Sequence, residues 1–249
     1  MPRSEEVQMK QLAQALKRHA IDTMSLQLLF SRGREEAYSL SLNGSQAISL
    51  WHTLRSIVDE TRFWPVLGWD RQTLEAHDED FGDLQEGSST DIVEAGLKLD
   101  AASWLRDRVQ SEPELYKCEK GTWPNNVQAR YAFTIPLRNS VTIALVPTTT
   151  SWHVPAILRF GGWNNCPSAE EHVCMMKRWN DHYGAEVVGI TADVVEMYVT
   201  RPPVDRAGAR ELAWEQFVYC PDTIHQGAET LEALSASLLQ ATVWHFWWD

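Results

Sequence analysis

The sequence predicts an α/β (α+β) fold: a mixed β-sheet flanked by helices, in a single compact domain with an N-terminal helical addition. Three observations predict it. Segments with apolar residues at three- and four-residue spacing are interleaved with short β-branched runs, without strict strand–helix–strand alternation. Hydrophobic residues make up 44% of the chain, enough for a sizeable core. The length of 249 residues suits one large domain. We divide the chain into a helical extension at 1–20 and one α/β domain at 21–249. Within that domain the acidic segment 70–92 reads as less ordered, and 141–249 as the best-defined core.

The elements follow in order. Residues 7–19 have Met9, Leu12 and Leu16 on one helical face. The run "SQAISLWHTLRSIVDE" predicts a stronger helix, with Ser45 as N-cap and Ile48, Trp51, Leu54 and Val58 inward. "RFWPVLGW" predicts a short strand, and Pro65 places it at a sheet edge. Residues 70–92 show little periodicity and read as a loop or lid. "DIVEAGLKLDAASWLRDRV" predicts one or two helices, and "GTWPNNVQ" a turn-rich connection. "VTIALVP" and "HVPAILRF" read as two buried strands.

A helix at 169–183 ends at Gly184, a natural C-cap. "AEVVGIT" and "VVEMYVT" predict two strands. In the second, Val195, Met197 and Val199 face one way and Glu196 and Tyr198 the other. A helix within "RPPVDRAGARELAWEQFVY" points Ala209, Leu212, Ala213 and Phe217 inward. "TLEALSASLLQ" predicts another helix, and "TVWHFWWD" a closing strand.

Bulk properties narrow the function classes. The net charge is −12, the wrong sign for bulk nucleic-acid binding. Between Asp70 and Lys117 thirteen Asp and Glu face five Lys and Arg, a net −8. This segment is either a solvated face or a docking surface for a basic partner. Asp78, Glu79, Asp80, Asp83 and Glu86 are the partner-binding candidates. No stretch approaches the roughly 18 apolar residues of a membrane span. The start, "MPRSEEVQMK", lacks an apolar signal core, so the expected location is the cytoplasm. The four cysteines form no C-x-x-C pair, which predicts reduced thiols and no metal site. Twelve tryptophans supply core, with a few left for a pocket or contact surface.

The densest chemistry lies in "GGWNNCPSAEEHVCMMKRW", residues 161–179. Ser168 and Glu171 form an S-x-x-E capping box, and Ala169, Val173, Met176, Trp179 and Tyr183 make one apolar stripe. Helix initiation therefore explains most of the stretch. Asn164, Asn165 and Cys166 remain. A thiol before a helix N-terminus is a potential nucleophile. It needs a base, and His172, His182 and His225 are the candidates. His172, six residues on, is expected more than a turn away. Asn164 and Asn165 are expected to tie down the loop by hydrogen bonds. Glu196 and Asp193 are either paired acids or solvent-facing carboxylates. The run "YCPD" brings Cys220 and Asp222 to a helix end. There is no G-x-G-x-x-G, G-x-x-x-x-G-K-S/T, H-E-x-x-H or G-x-S-x-G, so no cofactor is expected.

The strings "WNNCP", "RWNDHYGAEVVGIT", "YVTRPP", "AWEQFVYCPD" and "WHFWWD" together resemble the bacterial domain-of-unknown-function family 4253. The upstream "SLWHTLRSIVDETRFWPVLG" is similar as well, so the resemblance spans roughly 45–249. Asn165 departs from it, standing where the family often has an acidic residue. The resemblance implies a bacterial origin and a shared α/β fold. It carries over no catalytic residue.

Three functions follow as expectations. The first is a non-enzymatic cytoplasmic binding protein, such as an immunity or accessory protein that masks a basic toxin through an acidic, Trp-rich surface. The second is an enzyme with a polar site around Asn165, Cys166, Glu196, Asp222 and His225. The third is a small-ligand sensor or structural subunit.

Overall fold

The computed structural model describes residues 4–81, 87–125 and 132–249, with backbone alone at 4–6, 78, 80 and 81. The elements are helix α1 (Ser4–Arg18), strands β1 (Gln27–Arg32) and β2 (Glu35–Asn43), helices α2 (Ala47–Ser56) and α3 (Val58–Thr61), and strand β3 (Trp64–Leu67). Helices α4 (Arg71–Phe81), α5 (Ser89–Lys98) and α6 (Ala101–Ser111) come next, then strand β4 (Ser140–Val146). Helices α7 (Val154–Leu158) and α8 (Ala169–Tyr183) lead to strands β5 (Ala185–Ile190) and β6 (Val194–Val199). Helices α9 (Arg206–Tyr219) and α10 (Leu231–Leu238) and strand β7 (Val243–Trp247) complete the chain.

Among the described residues seven strands form one mixed sheet in the order β1-β2-β4-β3-β5-β6-β7. Every pair is antiparallel except β3 with β5. Helices cover the sheet, and one large apolar cluster runs from Leu12 and Leu16 of α1 to Trp248. The N-terminal helix thus packs Leu12, Ala15 and Leu16 into the common core.

Five local expectations change. Pro65 does not mark an edge: β3 is the central strand. The reason lies in its neighbours. β3 and β5 meet at a single pair, Leu67 and Gly189, so little ladder exists for a missing N–H to break. Two indoles close the rest of the seam. Trp51 Nε1 donates to Pro65 O at 3.0 Å and Trp64 Nε1 to Val187 O at 2.9 Å. Gly189 is needed at the one bridge, because a Cβ there would lie 2.6 Å from Ile135 Cδ1.

The expected strand "HVPAILRF" is instead helix α7, preceded by a 3-10 turn at Ser151–His153. A short, uniformly apolar run does not distinguish a buried strand from a buried helix by period, and Pro155 sits in the first turn, where helices accept it. The expected loop at 70–92 holds helix α4: Asp70 Oδ1 accepts from Thr73 N at 2.8 Å, and Leu74 and His77 turn inward. Ser45 is not the cap of its helix. Asn43 caps a 3-10 turn at Gly44–Gln46 by accepting from Ser45 N. Glu196 is not solvent-facing but fully buried, whereas Asp193 is exposed.

The hairpin of β1 and β2 had no counterpart in the sequence reading. Its register is Arg32 opposite Glu35 around Gly33 and Arg34, and Gly33 takes the left-handed φ of +63°. The connection at 121–128 is irregular over 121–125, and its remainder lies outside the described residues. Among the described residues no helix is long and apolar enough to cross a membrane.

Replacing Trp64 by Phe removes the donor to Val187 O while keeping most of the ring. The variant should lose about 1–3 kcal/mol in urea unfolding, the cost of orphaning a buried acceptor. A loss below about 0.5 kcal/mol, the range of a neutral surface change, would mean that the seam does not depend on this bond.

Candidate functional site

The loop before α8 decides where Cys166 goes. Gly161, Gly162 and Asn164 have φ of +110°, +95° and +45°, and these left-handed steps turn the chain back on itself. Gly162 N donates to Pro167 O at 3.0 Å and Cys166 N to Trp163 O at 2.8 Å. Gly161 has no room for a side chain: a Cβ would collide with Pro167 O and lie 2.8 Å from the His172 ring. The capping box then starts α8, with Ser168 N donating to Glu171 Oε2 at 2.8 Å and Glu171 N to Ser168 Oγ at 3.4 Å. Gly184 closes the helix at φ +60°.

This turn brings Cys166 and His172 together. Sγ lies 3.5 Å from Nε2, and Nδ1 lies 2.6 Å from the Tyr219 hydroxyl at the end of α9. The expected separation of more than a helical turn does not hold, because Cys166 lies in the folded-back loop and not on the helix axis. A neutral imidazole has one donor and one acceptor nitrogen. Protons therefore run one way along the chain: from Tyr219 to Nδ1 and from Nε2 to sulfur, or from sulfur to Nε2 and from Nδ1 to Tyr219.

The chain is dry. His172 and Tyr219 are fully buried and Cys166 is 5% exposed. Phe160 and Trp248 pack on His172 with ring centroids at 5.0 and 5.8 Å. Burial dominates all three titrations. It pushes the Cys166 thiol well above its ordinary value, with Cys220 adding to the effect. It lowers His172 to about 3, with Arg108 adding to the effect. It raises Tyr219 well above 10. A thiolate–imidazolium pair is disfavoured at both ends.

Arg108 of α6 clamps the loop from outside. Nη2 donates to Asn165 O at 2.8 Å and Nε to the Tyr116 hydroxyl at 3.0 Å, and the guanidinium lies over the Trp104 ring. Asn165 thus serves through its backbone carbonyl. Asn164 Nδ2 donates to Asp249 O at 2.7 Å.

The other candidates lie in separate networks. Glu196 accepts from Thr134 N and from Thr134 Oγ1 at 2.7 Å, anchoring the turn Ile135–Leu137; burial raises its pKa, and the Thr134 bonds oppose that rise. His225 Nε2 lies 2.7 Å from Leu115 O, and its ring packs on Phe217. Asp222 accepts from Gln226 Nε2 at 3.0 Å and from Asp249 N at 3.3 Å. Cys220 donates to Trp247 O at 3.1 Å, and burial pushes its pKa up to about 12. All four cysteines are free thiols, and among the described residues no group of three or more His, Cys, Asp or Glu is placed to hold a metal ion.

Of the partner-binding candidates, Glu79 is exposed on α4, Asp78 and Asp80 lie on the same helix, and Asp83 and Glu86 fall outside the described residues. Sequence reading missed Tyr219, Arg108 and Trp248 as members of the Cys166 cluster. Only the aromatic run "FVYCPD" beside the closing Trp pair hinted at them.

Burial of His172 has a pH signature. Its folded pKa of about 3 lies below its ordinary 6.5, so between those values the unfolded state binds the extra proton. The stability from this group is complete above pH 6.5 and falls on acidification toward pH 3, by at most about 1.4 kcal/mol per pH unit. Urea midpoints from pH 7 to 4.5 should therefore fall less steeply in His172→Gln than in the parent. Parallel slopes would place His172 in water.

The family model of DUF4253, described as a domain of unknown function, matches residues 142–249. That match covers the C-terminal part of the resemblance read over 45–249. No curated protein and no solved structure matches the chain.

Proposed function

We propose that the protein, whose residues 142–249 match the DUF4253 family model, is a non-enzymatic binding protein of the bacterial cytoplasm, an immunity or accessory protein that masks a basic protein partner. The observation that carries this reading is the outer surface of α4–α6. Glu75, Glu79, Asp91, Glu94 and Asp107 are exposed on these helices, and Asp100, Glu112 and Glu114 in the segments that flank α6. Of these, Glu114 alone is paired with a cation among the described residues, at 2.6 Å from Lys117. Unpaired surface carboxylates of one sign steer a basic partner and are screened by salt.

Trp214 supports the same reading. Seven of the twelve tryptophans are buried, whereas Trp214 is 38% exposed. It lines a groove of about 530 Å³ between α6 and α9, together with Leu105 and Val109. An aromatic anchor in a groove with a polar rim is a common composition of an interface hot spot.

An enzyme acting through Cys166 is the second reading, favoured by the 3.5 Å contact to His172. It requires the cluster to open, and Glu196 and His225 are held in other networks.

The test is affinity purification from the native host at low and high salt, about 0.05 M against about 0.5 M, which shortens the screening length severalfold. The parent should retain a basic protein at low salt and release it at high salt. The Glu75→Lys, Glu79→Lys, Glu94→Lys variant should retain at least about tenfold less, the equivalent of 1.4 kcal/mol. Equal retention by the variant would refute the acidic-face reading.

A further inference from the structure

A second concave site lies where the first turns of α5 meet the start of β2. Glu35, at the start of β2, meets Ser89, Thr90 and Val93 of α5. Pro147 and Thr148 follow β4, and His153 and Ile157 complete a cavity of about 230 Å³. Its polar groups are organised. Ser89 Oγ donates to Glu35 Oε1. Thr148 Oγ1 accepts from Thr150 N at 3.1 Å and lies 3.3 Å from His153 Nδ1. That contact fixes the imidazole through one nitrogen and leaves Nε2 without a partner among the described residues. Burial lowers the His153 pKa, so the ring is neutral.

Glu35 is the formal charge in this lining. Among the described residues no cation pairs with it. Arg32 and Arg159 donate to Ile157 O and Gly87 O and are not lining residues. The cavity therefore presents a half-buried carboxylate with one oxygen bound by Ser89, an apolar wall of Val93, Pro147 and Ile157, and hydroxyl and imidazole groups at its rim. A partly desolvated carboxylate with no counter-ion is costly unless a cation or strong donor completes it.

We propose that this cavity binds a primary alkylammonium group, with Glu35 accepting from the ammonium and Val93, Pro147 and Ile157 covering its methylene stem. The chemistry is shared by small aliphatic amines and by lysine side chains of a protein. This inference rests on the cavity alone and stands or falls independently of the acidic face.

The test is calorimetric titration of the full chain with n-butylammonium chloride, n-butanol and Nα-acetyl-lysine amide, with the His153 imidazole followed by NMR. Each titration is repeated on Glu35→Gln, which keeps an oxygen for Ser89, and on Thr90→Val at the exposed rim. Butylammonium should bind saturably and shift His153, and n-butanol should bind at least about tenfold more weakly. Glu35→Gln should weaken the ammonium at least about tenfold, in keeping with a charge-assisted hydrogen bond, while Thr90→Val keeps the fold and loses less. Binding of the lysine amide together with butylammonium assigns the ligand to a protein side chain; butylammonium alone assigns it to a free amine. No saturable ammonium binding, equal binding of the alcohol, or an unchanged Glu35→Gln variant would overturn the proposal.

Discussion

Removal of water from the Cys166–His172–Tyr219 chain is the constraint on which the functional reading depends. In water a thiol beside an imidazole is a step from an ion pair. Here burial moves the thiol up and the imidazole down, so that the neutral pair lies lowest. The chain also ties the loop before α8 and the first turn of α8 to the end of α9, 47 residues on. Satisfied buried polar chains of this kind fix a unique packing, whereas a half-satisfied one would cost more than an apolar core. Phe160 and Trp248 seal it, and the Arg108 clamp on Asn165 O holds the loop down.

Much of the fold was legible where the signal is local. Helix α8 was readable end to end, because its capping box and Gly184 are adjacent to the residues they terminate. Strands β4, β5, β6 and β7 were readable from β-branched and aromatic runs. The errors have two causes: distant residues decided, or the local pattern was silent. Pro65 reads as an edge residue until the indole of Trp64 is seen to reach Val187 O of β5 and that of Trp51, from α2, to cap Pro65 O. The stretch 154–158 is apolar and buried at every position, so its period is silent. Helix α4 hid behind its acids, with Leu74 and His77 as its sole inward pair among the side chains described. The β1–β2 hairpin did leave a mark, the alternation of Tyr38, Leu40 and Leu42, that was there to be read.

The site was half legible. The capping box correctly accounted for Ser168 and Glu171, and Cys166 was singled out for its place before a helix. Its contact with His172 was not legible, because the turn depends on left-handed φ values at Gly161, Gly162 and Asn164, and no spacing rule encodes that return path. The burial of Glu196 is not legible for the same kind of reason. Its partner Thr134 is sixty-two residues away, and alternation along β6 reveals its face but not what covers it. Charge behaved differently. The acidic segment needed no fold to be seen, and folding places its described members on the outer surfaces of α4–α6.

The most direct measurement is the pH dependence of iodoacetamide alkylation at each cysteine of the native protein, read by mass spectrometry. The account predicts that Cys166 reacts more slowly than the half-buried Cys118, with no inflection below pH 8. Cys166 reacting fastest, with an inflection near or below pH 7, would contradict it and would transfer the functional reading to thiol chemistry.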